Sequence, residues 1–205
     1  MKIENSIIAI TGAGGGLGAA MARRFAARGA RLALLDFRAD MLDGLVAELG
    51  LGDADCLALT CDVSDETQVD QAFAEISQAF GGLDVLVNNA GITRDALMLK
   101  FRDGERVSRM SLDDWNAVIA VNLTGVFLCG RAAAEQMIRG GTGGLIVNVS
   151  SISAHIAQPK RWTYHAAKGA VHTLTKTMAI MAIATITSKR VKPEAVFRLS
   201  IILPC

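Results

Sequence analysis

The chain is expected to fold as an α/β domain: a doubly wound parallel sheet with helices on both faces, Rossmann-like, in three layers. Three observations lead there. Short apolar runs of strand length at 7–10, 31–36, 56–63, 83–87 and 145–149 alternate with stretches of helical periodicity, a pattern that calls for parallel strands joined by right-handed crossovers. A glycine-rich turn, Thr11-Gly12-Ala13-Gly14-Gly15-Gly16-Leu17-Gly18, separates the first strand from the first helix. Asp36, Asp62 and Asn89 fall at the carboxyl ends of strands, where the ligand of such a sheet lies.

At 205 residues and 51% hydrophobic content, residues 1–205 are expected to form one domain around one core. A formal charge of +1 steers the chain toward neither nucleic acid nor an anionic membrane. No uninterrupted apolar run reaches the length of a membrane span, and no signal-length run precedes the first strand, so a soluble cytoplasmic protein is expected. Cys56, Cys61, Cys129 and Cys205 show neither CxxC nor metal-ligand spacing with His155, His165 and His172. Reduced thiols and no metal site are therefore expected.

Ile7, Ile8 and Ile10 suit a buried strand, and Leu17, Met21, Ala22 and Phe25 recur at helical spacing. Between them Gly12, Gly16 and Gly18 let the backbone turn sharply, approach a ligand closely and bring helix against strand. The helix start offers free N–H groups to an anion, so the unit is a candidate dinucleotide turn. Arg31 to Asp36 forms the second strand, ending in a carboxylate 18 residues past Gly18. There it can accept hydrogen bonds from the ribose of NAD and repel the phosphate of NADP, or it is simply a solvated strand end. Arg38 nearby leaves room for NADP.

Residues 39–49 place Leu42, Leu45, Val46 and Leu49 on one helix face. A third strand runs from Cys56 to Val63, and Ser64 or Asp65 caps a helix ending near Phe80. A fourth, Leu83 to Val87, leads into Asn88-Asn89-Ala90-Gly91. From Ile92 to Met110 periodicity fades and charge rises, predicting a surface excursion with a hairpin at Asp103-Gly104. Ser111 caps a helix to about Ile138, with Asp113 and Asp114 in its first turn. Asn122 interrupts its apolar side, either as a satisfied core residue or as part of a site.

A fifth strand, Leu145 to Val149, leads into Ser150-Ser151, and a helix from about Thr163 carries Tyr164-His-Ala-Ala-Lys168. Four residues apart, the tyrosine and lysine share a helix face. A nearby cation favours the ionised phenol and makes it a usable proton donor or acceptor near neutral pH. Such a pair also occurs by chance on amphipathic helices; its meaning depends on Ser151 and the glycine turn.

Together, Thr11-Gly12-x-x-x-Gly16-x-Gly18, Asp62-Val63, Asn88-Asn89-Ala90-Gly91, Asn122, Ser151 and Tyr164-x-x-x-Lys168 resemble the short-chain dehydrogenase/reductase family from residue 5 to about 178. Asn89-Ala-Gly-Ile-Thr-Arg-Asp95 and Ser111-Leu-Asp-Asp-Trp115 look most like bacterial 3-oxoacyl-[acyl-carrier-protein] reductases, with a charged insert at about 100–109. The resemblance implies that Tyr164 exchanges a proton with the substrate oxygen. Ser151 would hydrogen-bond that oxygen, Lys168 would hold the nicotinamide ribose and assist the tyrosine, and Asn122 would anchor a water leading to Lys168. It implies cofactor contacts at Gly12, Gly16, Leu17, Gly18, Asp36, Asp62, Val63, Asn89, Ala90, Gly91, Tyr164 and Lys168. It further implies a homo-oligomer, expected through the helices at 112–138 and 163–181.

Beyond Lys168 the helix continues through Val171, Leu174 and Met178, and then the family pattern breaks. Either 196–205 supplies the sixth strand, with Cys205 where glycine is expected, or 191–204 resembles the substrate-covering segment and that strand is missing. The second alignment agrees at more consecutive residues. In both, a seventh strand is absent.

The expected function is hydride transfer between NAD(H), NADP being second choice, and a carbonyl or secondary alcohol. A 3-oxoacyl thioester is the substrate that the resemblance suggests; His155 to Trp162 is too generic to choose. The alternative is a catalytically impaired nucleotide-binding or interaction subunit, in keeping with the incomplete C-terminal region.

Overall fold

Six parallel strands form the sheet on which everything else is hung. The computed structural model describes residues 2–141, 143–156, 158–187 and 197–202. The strands are β1 (Ile7–Thr11), β2 (Arg31–Asp36), β3 (Cys56–Thr60), β4 (Val85–Asn88), β7 (Gly144–Val149) and β8 (Phe197–Ile202), in spatial order β3-β2-β1-β4-β7-β8. That order reverses direction between β1 and β4, and the crevice at this switch point is where a doubly wound sheet binds its ligand. A separate antiparallel ribbon pairs β5 (Leu99–Arg102) with β6 (Glu105–Arg109). Asp103 and Gly104, both at positive φ, make its turn as expected.

Side chains alternate across the strands and so feed two cores. Ile8, Ile10, Leu32, Leu34, Val85 and Val87 face α1 (Gly16–Ala26) and α2 (Ala39–Leu49). Ala9, Ala33, Leu35, Leu86 and Ile146 face α3 (Glu66–Phe80) and α5 (Gly125–Gly140). Asp65 caps α3, its carboxylate accepting from Gln68 N at 3.1 Å, and Ser111 caps α4 (Leu112–Ile119) in the same way through Asp114 N at 3.0 Å.

The fourth strand starts at Val85 rather than Leu83, and two larger departures from expectation follow. The third strand stops at Thr60, because Asp62 turns the chain by accepting from Ser64 N and Oγ at 2.9 and 2.7 Å. The long helix from Ser111 is three pieces: α4, a π-helical turn at Ala120–Thr124, and α5. The continuous run Leu112–Gly140 is apolar enough to cross a bilayer, with mean hydropathy 1.6, but half of that stretch is buried inside this fold. It is a core helix.

The tail is corrected by β8. It lies parallel to β7, with Phe197 opposite Gly144 and Ile202 opposite Val149. The sixth strand is therefore present, and the alignment that omits it is wrong. The physical reason is the open edge of β7, whose backbone N–H and C=O groups need partners that Phe-Arg-Leu-Ser-Ile-Ile supplies. The expectations for 191–195, Pro204 and Cys205 lie outside the described residues. Among the described residues no seventh strand follows.

Behind β4 and β7 a buried polar chain ties the sheet to α6 (Trp162–Thr187). Asn88 Nδ2 donates to Asn148 Oδ1 at 2.9 Å, Asn148 Nδ2 donates to Thr175 Oγ1 at 2.9 Å, and that hydroxyl donates to Val171 O at 2.7 Å. Every step is satisfied, so the network fixes the helix's position on the sheet without an orphaned polar group.

Candidate active site

The glycine turn follows β1 directly. Gly12 has φ +65, and a Cβ there would lie 2.8 Å from Ala90 Cα. At Gly18 a Cβ would come within 2.1 Å of Gly12 O, closer than atoms can approach. Gly16 meets nothing within 4 Å, so its open side faces the crevice rather than the protein. Gly15 caps α1 with no side-chain hydrogen bond, and no acidic residue stands in the first turn. The helix N-terminus is thus free for an anion, with its dipole unopposed.

The Asn89-Ala90-Gly91 segment is held against this turn. Thr11 Oγ1 accepts from Asn89 N at 3.0 Å and Ala90 N at 3.1 Å, while Asn89 Nδ2 donates to Thr11 O and Gly12 O, both at 3.0 Å. Thr11 belongs to the motif, but its bridging role depends on residues 78 and 79 positions away, which no local pattern could reveal.

These pieces enclose a cavity of about 690 Å³, lined among others by Gly12, Gly16, Leu17, Asp36, Asp62, Val63, Asn89, Ala90 and Gly91. Nine of the twelve residues expected to contact a nucleotide therefore line one cavity, leaving out Gly18, which packs beneath the turn, and Tyr164 and Lys168. Asp36 Oδ2 accepts from Gly14 N at 2.9 Å and Oδ1 from Arg38 N at 3.1 Å. The carboxylate is thereby aimed, with lone pairs remaining for further donors. Arg38, expected beside the end of the second strand, lines the same cavity, and Gly14 and Phe37 join the site without a signal in the sequence: a Cβ on Gly14 would stand 2.6 Å from Met41 Cβ, and Phe37 lines the cavity.

A second cavity, of about 280 Å³, shares Leu17, Asn89, Gly91 and Ile92 with the first and adds Thr93, Val149, Ser150, Tyr164 and Lys168. Lys168 is only 3% exposed. Its Nζ donates to Val149 O at 2.7 Å and lies 5.8 Å from the centroid of the Tyr164 ring. Burial lowers its pKa from the ordinary 10.5 to about 8, since the charged form loses water. A helix spacing of four puts cation and phenol together as anticipated, and the strand end supplies the carbonyl that aims the ammonium.

Ser151 and Asn122 are arranged differently from their neighbours. The Ser151 hydroxyl accepts from Ser153 N at 3.1 Å and caps the short 3-10 turn Ile152–Ala154; among the described residues no hydrogen bond joins it to Tyr164. Ser150 donates its hydroxyl to Lys168 O at 3.0 Å and lines the cavity instead. Asn122 is fully buried on the π-helical turn, accepting from Ile92 N and donating to Ile92 O, each at 2.7 Å. It is a satisfied buried residue whose two bonds hold Ile92, which lines both cavities.

Among the described residues no three His, Cys, Asp or Glu side chains converge to hold a metal. Cys56, Cys61 and Cys129 are buried free thiols; burial pushes the Cys61 thiol up to about 11 and Cys129 higher still.

The order of these parts along the chain is that of one protein family, whose model, short chain dehydrogenase, matches residues 6–196. The chain belongs to the short chain dehydrogenases. Among family relatives, a 3-oxoacyl-[acyl-carrier-protein] reductase of Thermotoga maritima is 41% identical over 181 residues, 87% of this chain and 69% of that protein. A meso-2,3-butanediol dehydrogenase of Serratia marcescens is 37% identical over 180 residues, 88% of this chain and 66% of that protein. A short chain dehydrogenase/reductase from Burkholderia phymatum, solved in complex with NAD, superposes with a TM-score of 0.86 at 28% identity, covering 100% of this chain and 66% of that one. This family member thus spans about two thirds of the length of the curated relatives it matches.

Proposed function

We propose that the chain interconverts a carbonyl and a secondary alcohol with NAD(H), Tyr164 serving as the acid and base. The observation that carries this reading is the buried Lys168 ammonium beside the Tyr164 ring, in a cavity that adjoins the glycine-turn crevice through shared walls. The residues present fit a dinucleotide. The open side of Gly16, the uncapped start of α1 and the Asp36 carboxylate suit pyrophosphate and ribose. A bound nicotinamide would supply or accept the hydride. Asp36 disfavours the additional phosphate of NADP by charge, so NAD is the preferred form.

The chain's own contribution is proton handling and electrostatics. Tyr164 gives its phenolic proton to the carbonyl oxygen as that oxygen gains charge, or takes the hydroxyl proton in the reverse direction. Lys168 stabilises the resulting phenolate, its own ammonium being buried beside the ring. The Ser151 hydroxyl is the second donor to the substrate oxygen: its oxygen accepts from Ser153 N, which leaves its own proton to be given. Asn122 keeps Ile92 and the cavity wall in place. A 3-oxoacyl thioester is the substrate class we favour, on the strength of the Thermotoga relative and the Asn89–Asp95 and Ser111–Trp115 segments. Exposed Leu112, Trp115, Phe127 and Trp162 favour a homo-oligomer through the helices at 112–138 and 163–181.

The test is NADH consumption by the purified chain with an acetoacetyl thioester and a panel of simple ketones, beside Tyr164→Phe. Turnover by the parent and at least a hundredfold loss in the variant are expected, about the scale of one acid–base group. Equal rates would end the tyrosine mechanism. NADH binding without turnover would favour a binding subunit instead.

A further inference from the structure

The ribbon β5–β6 takes no part in the chemistry described so far. Every residue of both strands is exposed, and Leu99, Phe101 and Val107 are exposed by 53%, 59% and 53%. On it stand Lys100, Arg102, Arg106 and Arg109 against Asp103 and Glu105, a formal +2 in a chain whose total is +1. None of these four cations has an ion-pair partner among the described residues, whereas the nearby Arg94 and Arg161 are paired with Asp114 and Asp95. The register sets Leu99 opposite Arg109 and, past a bulge after Lys100, Phe101 opposite Arg106, so each of these pairs puts an apolar group beside a guanidinium group. Arginine and aromatic residues on a rigid element make up the adhesive part of protein interfaces, and unpaired cations select an acidic counterpart.

The base of the ribbon is tied to the start of the helix that carries Tyr164. Met110 N donates to Met98 O at 3.1 Å, Ala96 N donates to Lys160 O at 2.9 Å, and Thr163 Oγ1 donates to Met110 Sδ at 3.4 Å. Thr163 immediately precedes Tyr164. A partner seated on the ribbon is therefore linked through Met110 and Thr163 to the helix turn that carries the phenol.

We propose that the β5–β6 ribbon is the docking surface for a small acidic carrier protein, which delivers its thioester-bound acyl group to Tyr164. This rests on the thioester reading of the site above. With a charge of −1 outside the ribbon, the chain offers no broader positive field for a nucleic acid or a vesicle surface. A compact acidic protein needs only the local patch.

The test compares the parent with a variant carrying Lys100→Glu, Arg102→Glu, Arg106→Glu and Arg109→Glu. The substrates are an acetoacetyl group on a phosphopantetheinylated acyl carrier protein and the same group on N-acetylcysteamine. The variant should lose about tenfold to a hundredfold in kcat/KM on the carrier-bound substrate, through KM, and nothing on the small thioester. The parent's preference for the carrier should fall as salt rises toward 0.5 M, where exposed charges are screened beyond about 4 Å. Equal effects on both substrates would overturn the proposal. So would loss of self-association in the variant by sedimentation, or competition by single-stranded DNA or anionic phospholipid vesicles that matches the carrier. If the parent reduces neither thioester, the substrate reading fails. The ribbon is then judged by anisotropy titration of labelled carrier: tight binding to the parent and weak binding to the variant support it, and any other result refutes it.

Discussion

Replacing Lys168 by methionine should make the nucleotide-free protein more stable at neutral pH while removing its activity. The ammonium is 3% exposed, and its lowering from 10.5 to about 8 corresponds to a penalty of about 3 kcal/mol on the charged form. The folded chain holds this proton less tightly than the unfolded chain does. The penalty is therefore complete below about pH 8 and vanishes as pH rises through the window from about 8 to 10.5, so this group makes the parent gain stability across that window. Methionine is of similar length and removes the penalty, but it strands Val149 O, which loses its 2.7 Å donor. That loss costs about 1 kcal/mol, leaving a net gain of about 2 kcal/mol at pH 7. Urea unfolding of parent and variant at pH 7, 8, 9 and 10 measures the difference. It should be largest at pH 7, shrink above pH 8 and be gone or reversed by pH 10. A variant less stable than the parent at pH 7, or a difference that ignores pH, would refute the placement of a charged lysine in a dry site.

Three further substitutions probe the nucleotide half. Asp36→Ala should weaken NADH binding at least tenfold and leave NADPH binding nearly unchanged, since about 1.4 kcal/mol is at stake for each tenfold; equal loss in fluorescence titrations would remove the ribose argument. Gly18→Ala puts a Cβ 2.1 Å from Gly12 O and should lower stability by about 1–3 kcal/mol as well as nucleotide affinity. Gly16→Ala, with no neighbour within 4 Å, should melt like the parent; identical melting of both variants would contradict the packing of the turn. Asn122→Ala leaves the N–H and C=O of Ile92 without partners and should cost about 2–4 kcal/mol. Its kcat should fall with stability intact only if the residue served the substrate directly, so calorimetry and kinetics together separate the two.

Much of the molecule was legible because its signals are local. The apolar runs at 7–10 and 31–36, the caps Asp65 and Ser111 and the turn at Asp103-Gly104 each sit within a few residues of the structure they produce. The glycine pattern is similar only in part: Gly18 is required by its approach to the turn's own Gly12 O, whereas Gly12, at positive φ, is pressed by Ala90 from across the chain. The Tyr164–Lys168 pair needed only the helix period. Where a signal was absent, the deciding contact crosses the chain. Thr11 bridges to Asn89 and Ala90, Gly14 is shaped by Asp36 and Met41, Asn122 holds Ile92, and Ser150 rather than Ser151 lines the Tyr164 cavity. The tail shows the same divide, since the motif order favoured no sixth strand whereas the open edge of β7 recruits Phe197–Ile202.

The sequence by itself determined the order of strands and helices, the glycine turn and the pairing of phenol with ammonium, all of which follow from spacing along one chain segment. The tertiary structure alone decided which of these meet. Parallel pairing of β1 with β4 brings Asn89 to Thr11, and β4 with β7 brings the Lys168 segment to the same crevice. The physical reason is that hydrogen bonds between strands, and the burial they allow, act on residues far apart in sequence, where neither periodicity nor spacing carries information.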